Sequence, residues 1–322
     1  MTHFWLYYCE NIIPGTWQAT DEAELDKAMR TALDIGYRYF DTAALYRNEH
    51  IIGKILEEYI KNGKIKPALY RNEHIIGKIL EEYIKDGKIK REDIYITTKL
   101  PLTGHDDPGK WIEESLKNLR TDYIDFGKGK PVLIPHIETW RGLEKYYKEG
   151  KLKAIGISNF NIEQIQELYN QAEIKPMNNQ VECHILHPQK ELYDFCKKLN
   201  ITLTAYAPIG SPGRPDAVRN GVKQEENPLE HPITVKLSKK YNKTPAQILI
   251  RQMIQRGIST IPKSTNEKRL KENFDVFDFE LTKEEMDEFN TIKDDKQLFL
   301  FDFVKDHPYH PWKDALKKRG LI

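Results

Sequence analysis

Residues 152–206 read LKAIGISNFNIEQIQELYNQAEIKPMNNQVECHILHPQKELYDFCKKLNITLTAY. Three strand-like runs lie here, Leu152–Ser158, Asn179–Ile185 and Ile201–Tyr206. Between them stand two helical segments, Ile162–Tyr169 and Lys190–Lys198. Strands that alternate with helices cannot pair as hairpins. They call for crossovers and a parallel sheet with helices on its faces.

The pattern continues in both directions. Upstream, Asp21–Ile35 is predicted helical, with Leu25, Met29, Ala32 and Leu33 on one stripe and Asp21/Glu24 as a capping pair. A strand at Tyr37–Phe40 follows, then one at Ile94–Thr98. Asp107-Pro108 opens a helix that carries Ile112, Leu116 and Leu119 inward. Tyr123–Phe126 starts a strand that stops at Gly127-Lys-Gly-Lys, read as loop, and Glu138–Lys148 is helix. Downstream, Thr244-Pro245 caps a helix to Ile254, Ser259–Pro262 is a strand and Asn266–Phe274 a short helix. From Asp275 a further helix and a Pro/aromatic-rich tail are expected.

Roughly eight strand–helix units favour a closed (β/α)8 TIM barrel, class α/β, over an open doubly wound sheet. No G-x-G-x-x-G follows an early strand, and the Gly127/Gly129 pair leads into no helix start.

Composition narrows the function classes. The chain has 322 residues, 50 Lys+Arg against 49 Asp+Glu, and 31% charged residues. A net charge of +1 gives no electrostatic drive toward nucleic acid or an anionic membrane. Three scattered cysteines, Cys9, Cys183 and Cys196, form neither a disulfide framework nor a metal knuckle, so a reducing, cytoplasmic setting is expected. The apolar cluster Phe4–Tyr8 is too short for an export signal and runs at once to Glu10. His307-Pro-Tyr-His310 has loose ligand spacing but no third ligand, so no metal is expected.

A near-perfect repeat interrupts the pattern. Ala44–Lys66 (ALYRNEHIIGKILEEYIKNGKIK) and Ala68–Lys90 (ALYRNEHIIGKILEEYIKDGKIK) differ only at Asn62/Asp86 and are joined by Pro67. Each copy carries a helix, about 49–60 and 73–84. Solenoids show at least three diverged copies; two nearly identical ones point to a recent duplication or a mis-assembled gene. Only one copy can fill a slot in a closed fold, so one extra or displaced helix is expected.

Several motifs in order resemble the aldo-keto reductase family, covering the chain from about Gly15 onward. They are Gly15-Thr16-Trp17; Phe40-Asp41-Thr42-Ala43 with Tyr46 and Asn48-Glu49; Ile96-Thr97-Thr98-Lys99-Leu100; Gly156-Ile157-Ser158-Asn159-Phe160; Asn179–His184; Tyr206–Pro212; and Ile261-Pro262-Lys263-Ser264 with Arg269 and Glu272-Asn273. The resemblance implies a single barrel over residues 1–322, with 275–322 as C-terminal helix and substrate-loop tail. It implies NADPH-dependent reduction of aldehydes and ketones, a small-molecule carbonyl substrate and a monomer.

The resemblance also implies roles. Tyr46 would be the general acid, Lys99 its tuner and Asp41 the anchor of Lys99. A tyrosine with a pKa near ~10 is a poor acid at neutrality until a neighbouring ammonium favours its phenolate. Tyr70, in the second copy, is the rival to Tyr46, but Pro67-Ala68 precedes it in place of Asp-Thr-Ala. Ser158, Asn159 and Gln180 would meet the nicotinamide carboxamide, and Tyr206 its ring. Lys263, Ser264 and Arg269 would meet the 2′-phosphate, because paired cations suit a dianion. Glu272 and Asn273 would meet adenine, while Thr16, Trp17 and Ser211 complete the cofactor set. Trp17 and Phe299–Trp312 would also line the substrate mouth, and Trp111 is expected to pack.

Two departures from the family pattern stand out. After Asp125-Phe126 the usual Leu-Ile-His-Trp-Pro-like strand end is missing, so the fourth strand is expected to be truncated. Neither His105 nor His136 is its equivalent histidine. Met1–Pro14 shows only fragments of the family's N-terminal plug. Three readings follow: an active NADPH reductase, a catalytically impaired NADP-binding barrel acting as sensor or partner module, or a mis-assembled version of an active enzyme.

Overall fold

A computed structural model describes Lys27, Ala28, Thr31 and Ile35, and residues 97–99, 107–119, 126–129, 135–214, 227–293, 295–301, 305–306 and 309–322. The duplicated segment, the Tyr37–Phe40 strand and the N-terminal fragments lie outside them. Lys27, Ala28, Thr31 and Ile35 are helical, within the predicted 21–35 helix, and Ala28 is buried; the stripe residues Leu25, Met29, Ala32 and Leu33 lie outside the described residues.

The described elements run β1 (Thr97–Lys99), α1 (Pro108–Leu119), β2 (Phe126–Gly129), α2 (His136–Lys148), β3 (Ile155–Ser158), α3 (Ile162–Gln171), β4 (Asn178–Glu182), α4 (Lys190–Lys198) and β5 (Thr202–Tyr206). A 3₁₀ turn (Pro228–Glu230) precedes α5 (Pro232–Tyr241), α6 (Pro245–Gln255), β6 (Ser259–Ile261), α7 (Glu267–Phe274), α8 (Lys283–Phe289) and α9 (Lys313–Lys318).

All six described strands are parallel and lie in sequence order, β1-β2-β3-β4-β5-β6. A doubly wound sheet reverses its order at a switch point; no reversal occurs among these strands, and the sheet winds one way as a barrel wall does.

The reading of Gly127–Gly129 as loop is overturned. These residues continue β2, pairing with β1 through Thr98↔Gly127 and Lys99↔Lys128, and with β3 through Lys128↔Gly156. Glycine is a poor strand former in isolation, but ladders on both sides satisfy its backbone groups and override propensity. The expected truncation therefore does not leave a gap between β1 and β3.

Strict parallel register sorts the side chains. Ile155, Ile157, Val181, Leu203 and Ala205 share one face and pack on Trp140, Leu143, Ile165, Leu168, Cys196, Ile250 and Met253 of the surrounding helices. The opposite face is polar: Ser158, Gln180, Thr204 and Ser259 stand in one row, with Glu182, Tyr206 and Ile261 in the next. Within it the Asn178 amide donates to Thr202 Oγ1 at 2.9 Å and Thr204 Oγ1 at 3.0 Å.

Local signals set the helix starts. Asn161 and Gln164 form a capping box on α3, and Thr244 and Gln247 form another on α6, each with its reciprocal side-chain bond. Helix α2 begins at His136, directly after Pro135, two residues earlier than predicted. Helix α5 was not anticipated, although Pro232 at its first turn and the His231 imidazole accepting from the Ile233 N–H mark its start. Trp111 is partly buried against the core, as expected. Among the described residues no helix is long and apolar enough to cross a membrane.

Helices α1 and α2 cross at a glycine. A Cβ added at Gly142 would sit 2.2 Å from Pro108 Cγ. Gly142→Ala should therefore destabilise the protein by about 1–2 kcal/mol despite alanine's helix propensity, because overpacking outweighs that gain. A thermal melt checks this: Tm should fall by a few degrees, and a rise would refute the close approach.

Candidate active site at the C-terminal strand ends

The predicted residues that the structure describes gather at one end of the sheet. Ser158 ends β3, Gln180 lies at the middle of β4, Tyr206 ends β5 and Lys99 is the last residue of β1; Glu182 and Ile261, not among the predicted site residues, end β4 and β6. Thr16, Trp17, Asp41, Tyr46 and its rival Tyr70 lie outside the described residues, as does His105.

Ser158, Asn159 and Gln180 are brought together. The Ser158 hydroxyl donates to the Gln180 carbonyl at 2.9 Å, and the Asn159 N–H donates to the same oxygen at 3.0 Å. Asn159 is buried and takes φ 62°, a left-handed conformation that asparagine tolerates better than most side chains. Its Oδ1 is buried with no hydrogen-bond partner among the described residues. A buried carbonyl oxygen left unmatched costs about 1–3 kcal/mol, a cost that a ligand donor removes. A carboxamide N–H is such a donor, so this corner fits a nicotinamide.

Strain recurs at the end of the next strand. Ala207 (φ 54°) and Ser211 (φ 45°) are non-glycine residues in the left-handed region, flanking Gly210 at φ 79°. At Gly210 a Cβ would also meet Pro228 Cδ at 2.6 Å, so glycine is required there twice over. The Arg214 guanidinium holds this loop from within, donating to the Gly210 carbonyl at 3.1 Å. Such strain persists where surrounding structure over-determines it, commonly at functional sites.

The cations expected to meet a phosphate lie one strand further on. Because Tyr206 pairs with Ile261, Lys263 and Ser264 leave β6 close to the end of β5. Asn266 caps α7 by accepting from the Arg269 N–H at 3.0 Å, and Lys263 and Arg269 are exposed while Ser264 and Asn273 are buried. Two cations at a helix N-terminus suit a phosphate dianion. Glu272 is partly exposed on the same helix, near Lys268 at 3.7 Å.

Glu182 has a role that motif reading missed. Its carboxylate is wholly buried in the polar face of the sheet, where Oε1 accepts from the Leu298 N–H at 2.6 Å and from His184 Nε2 at 2.9 Å. Oε2 accepts from the Phe299 N–H at 2.9 Å. Alongside, His187 Nδ1 meets Asp295, and the Lys296 N–H donates to the Leu186 carbonyl at 2.6 Å. The tail is thereby pinned over the strand ends. The only hint in the sequence was an acidic residue inside an otherwise buried strand.

Further along the tail, the Phe299 ring stands edge-on to Tyr206 with centroids 5.8 Å apart. His310 is buried; its Nε2 bonds the Leu300 carbonyl at 3.0 Å and its Nδ1 accepts from the Trp312 N–H at 3.2 Å. It latches the tail. His136, which does not match the family's strand-end histidine, is the first residue of α2, its ring between Phe160 (4.5 Å) and Tyr309 (4.7 Å). Among the described residues no group of three His, Cys, Asp or Glu could hold a metal ion. Burial pushes the Cys196 thiol up to about 12, so it packs as a neutral group.

The Aldo/keto reductase family model matches residues 11–294. The chain belongs to the aldo-keto reductase family. It is 36% identical over 324 residues to aldo-keto reductase family 1 member A1-A of Danio rerio, covering 94% of this chain and 91% of that one. Among solved structures it resembles the aldose reductase of Schistosoma japonicum (TM-score 0.72, 34% identity, 94% and 95% coverage). It also resembles a Bombyx mori aldo-keto reductase solved in complex with NADP (TM-score 0.73, 31% identity, 93% and 94% coverage). The fold is thus the family's (β/α)8 barrel, of which the described strands form six, and the chain is an oxidoreductase of the carbonyl–alcohol class.

The Glu182 cluster predicts acid lability. Burial pushes the carboxyl up, but His184, His187 and the Leu298 amide outweigh it and hold the group below its ordinary 4.5. A carboxyl with a lowered folded-state pKa adds stability above its unfolded value and loses it as pH falls. Thermal melts should show Tm steady from pH 7 to about 5 and declining below about 4.5. A Glu182→Gln variant should show a flatter decline, and an equally steep one would exclude Glu182 as a source.

Proposed function

We propose that this chain reduces aldehydes and ketones to alcohols with NADPH, as one catalytic unit over residues 1–322, working as a cytoplasmic monomer that takes no nucleic acid. The observation that carries the cofactor assignment is the buried, unmatched Asn159 Oδ1 beside Ser158 and Gln180 at the strand ends. Family membership supports turnover over the alternative of a cofactor-binding barrel without activity.

When bound, NADPH supplies the hydride that reaches the carbonyl carbon. The protein's residues do the rest. Asn159, Ser158 and Gln180 would hold the carboxamide, and Tyr206 would offer its ring face to the nicotinamide. Lys263, Ser264 and Arg269 take the 2′-phosphate, Glu272 and Asn273 the adenine, and Thr16, Trp17 and Ser211 complete the binding set. Tyr46 gives its phenolic proton to the carbonyl oxygen. Lys99, anchored by Asp41, favours the phenolate that remains, bringing the tyrosine's ordinary pKa of ~10 toward working pH. Lys99 stands at the strand end, where barrel enzymes keep their chemistry.

Three measurements test this. Tyr46→Phe should lower kcat for a simple aldehyde by at least about 10²-fold with NADPH affinity retained, while Tyr70→Phe should not. The reverse pattern would place the second repeat copy in the active site. Asn159→Ala should weaken NADPH binding about tenfold or more, the worth of a hydrogen bond to a buried acceptor. Lys263→Ala with Arg269→Ala should weaken NADPH but not NADH, measured by fluorescence titration. Equal losses for both nucleotides would remove the 2′-phosphate assignment.

A further inference from the structure

We propose that Glu182 is a positioning residue for substrate selectivity: by accepting the N–H groups of Leu298 and Phe299, it fixes an aromatic wall against Tyr206. The inference rests on the reductase reading above and assigns a role to a residue outside the cofactor set.

The geometry is specific. Glu182 and Tyr206 are register partners on β4 and β5, so the carboxylate and the phenol project from the same row of the polar face. The carboxylate reaches across 116 residues of sequence to the Leu298 amide. From there the rings form a line: Phe299 to Tyr206 at 5.8 Å, Phe299 to Phe301 at 6.5 Å, and Phe301 stacked on Trp312 at 5.6 Å. The Arg214 guanidinium lies 5.8 Å from the Phe299 ring, so that ring is held by a cation as well as by its backbone. Phe301 takes φ 48°, an unusual conformation for a bulky residue, which persists only where its surroundings impose it.

A buried carboxylate is an expensive way to hold a loop unless its bonds are satisfied. Here three donors satisfy it, two of them consecutive backbone N–H groups, and together they fix both position and orientation of Phe299. The wall would contact large apolar carbonyl substrates and miss small ones. Loosening Glu182 should therefore change which carbonyl is preferred more than how fast hydride moves.

The test is a double-mutant cycle on the full chain with benzaldehyde and methylglyoxal as probes, measuring kcat and KM separately. Glu182→Gln places an amide N–H against one backbone donor. It should lower the benzaldehyde-to-methylglyoxal ratio of kcat/KM about tenfold, chiefly through KM for benzaldehyde. Phe299→Ala should lower the same ratio comparably, and the double variant should do no worse than either single. A merely structural Glu182 would lower both substrates equally and leave the ratio unchanged; additive effects would likewise overturn the coupling. If Glu182→Gln does not fold, an unchanged ratio in Phe299→Ala alone overturns the proposal. A wild-type chain that reduces neither probe overturns the reductase reading and this inference with it, whereas an active wild type with unchanged ratios in the variants overturns this inference alone.

Discussion

In-step parallel pairing from β3 to β6 is the constraint on which the described architecture rests. Once Ser158 pairs with Gln180, Gln180 with Thr204 and Thr204 with Ser259, every second residue is committed to the same face. A slip of one residue on β4 would send Val181 into the polar row and Gln180 into the helix-packed core. The helices enforce the register, because Ile157, Leu203 and Ala205 are sealed beneath Trp140, Ile165 and Met253. Site and core are two sides of one alternation.

That alternation was legible in the sequence where strands and helices are regular. Helix α4 runs over the residues that its periodicity predicts, and the ends of β3 to β6 deviate by a few residues at most. The failures have identifiable causes. Gly127-Lys128-Gly129 carries turn-like residues but lies between two ladders, and long-range pairing overrode local propensity. Helix α5 has a modest apolar stripe and was missed, although its proline start was visible.

For the site, motif reading named Ser158, Asn159, Gln180 and Tyr206, and the structure groups the first three by hydrogen bonds to one carbonyl. It could not show that Asn159 Oδ1 is left unmatched, nor that Glu182 bonds to the tail. Both depend on contacts between segments far apart in the chain. No local pattern encodes a partner 116 positions away.

The capping box of α3 has a second use. Asn161 and Gln164 commit their side-chain oxygens to the start of that helix, while their amide nitrogens hold the Pro311 carbonyl at 3.0 Å and the Tyr309 carbonyl at 2.8 Å. These partners lie 150 and 145 residues later. During synthesis on the ribosome, the loop that carries Asn159 leaves the exit tunnel long before its clamp exists. The corner around Ser158 and Asn159 bonds to Gln180, whereas the bracing of the helix that follows it needs residues 309–311. The loop at the end of β3 is thus braced by partners that leave the ribosome 145 to 150 residues after it.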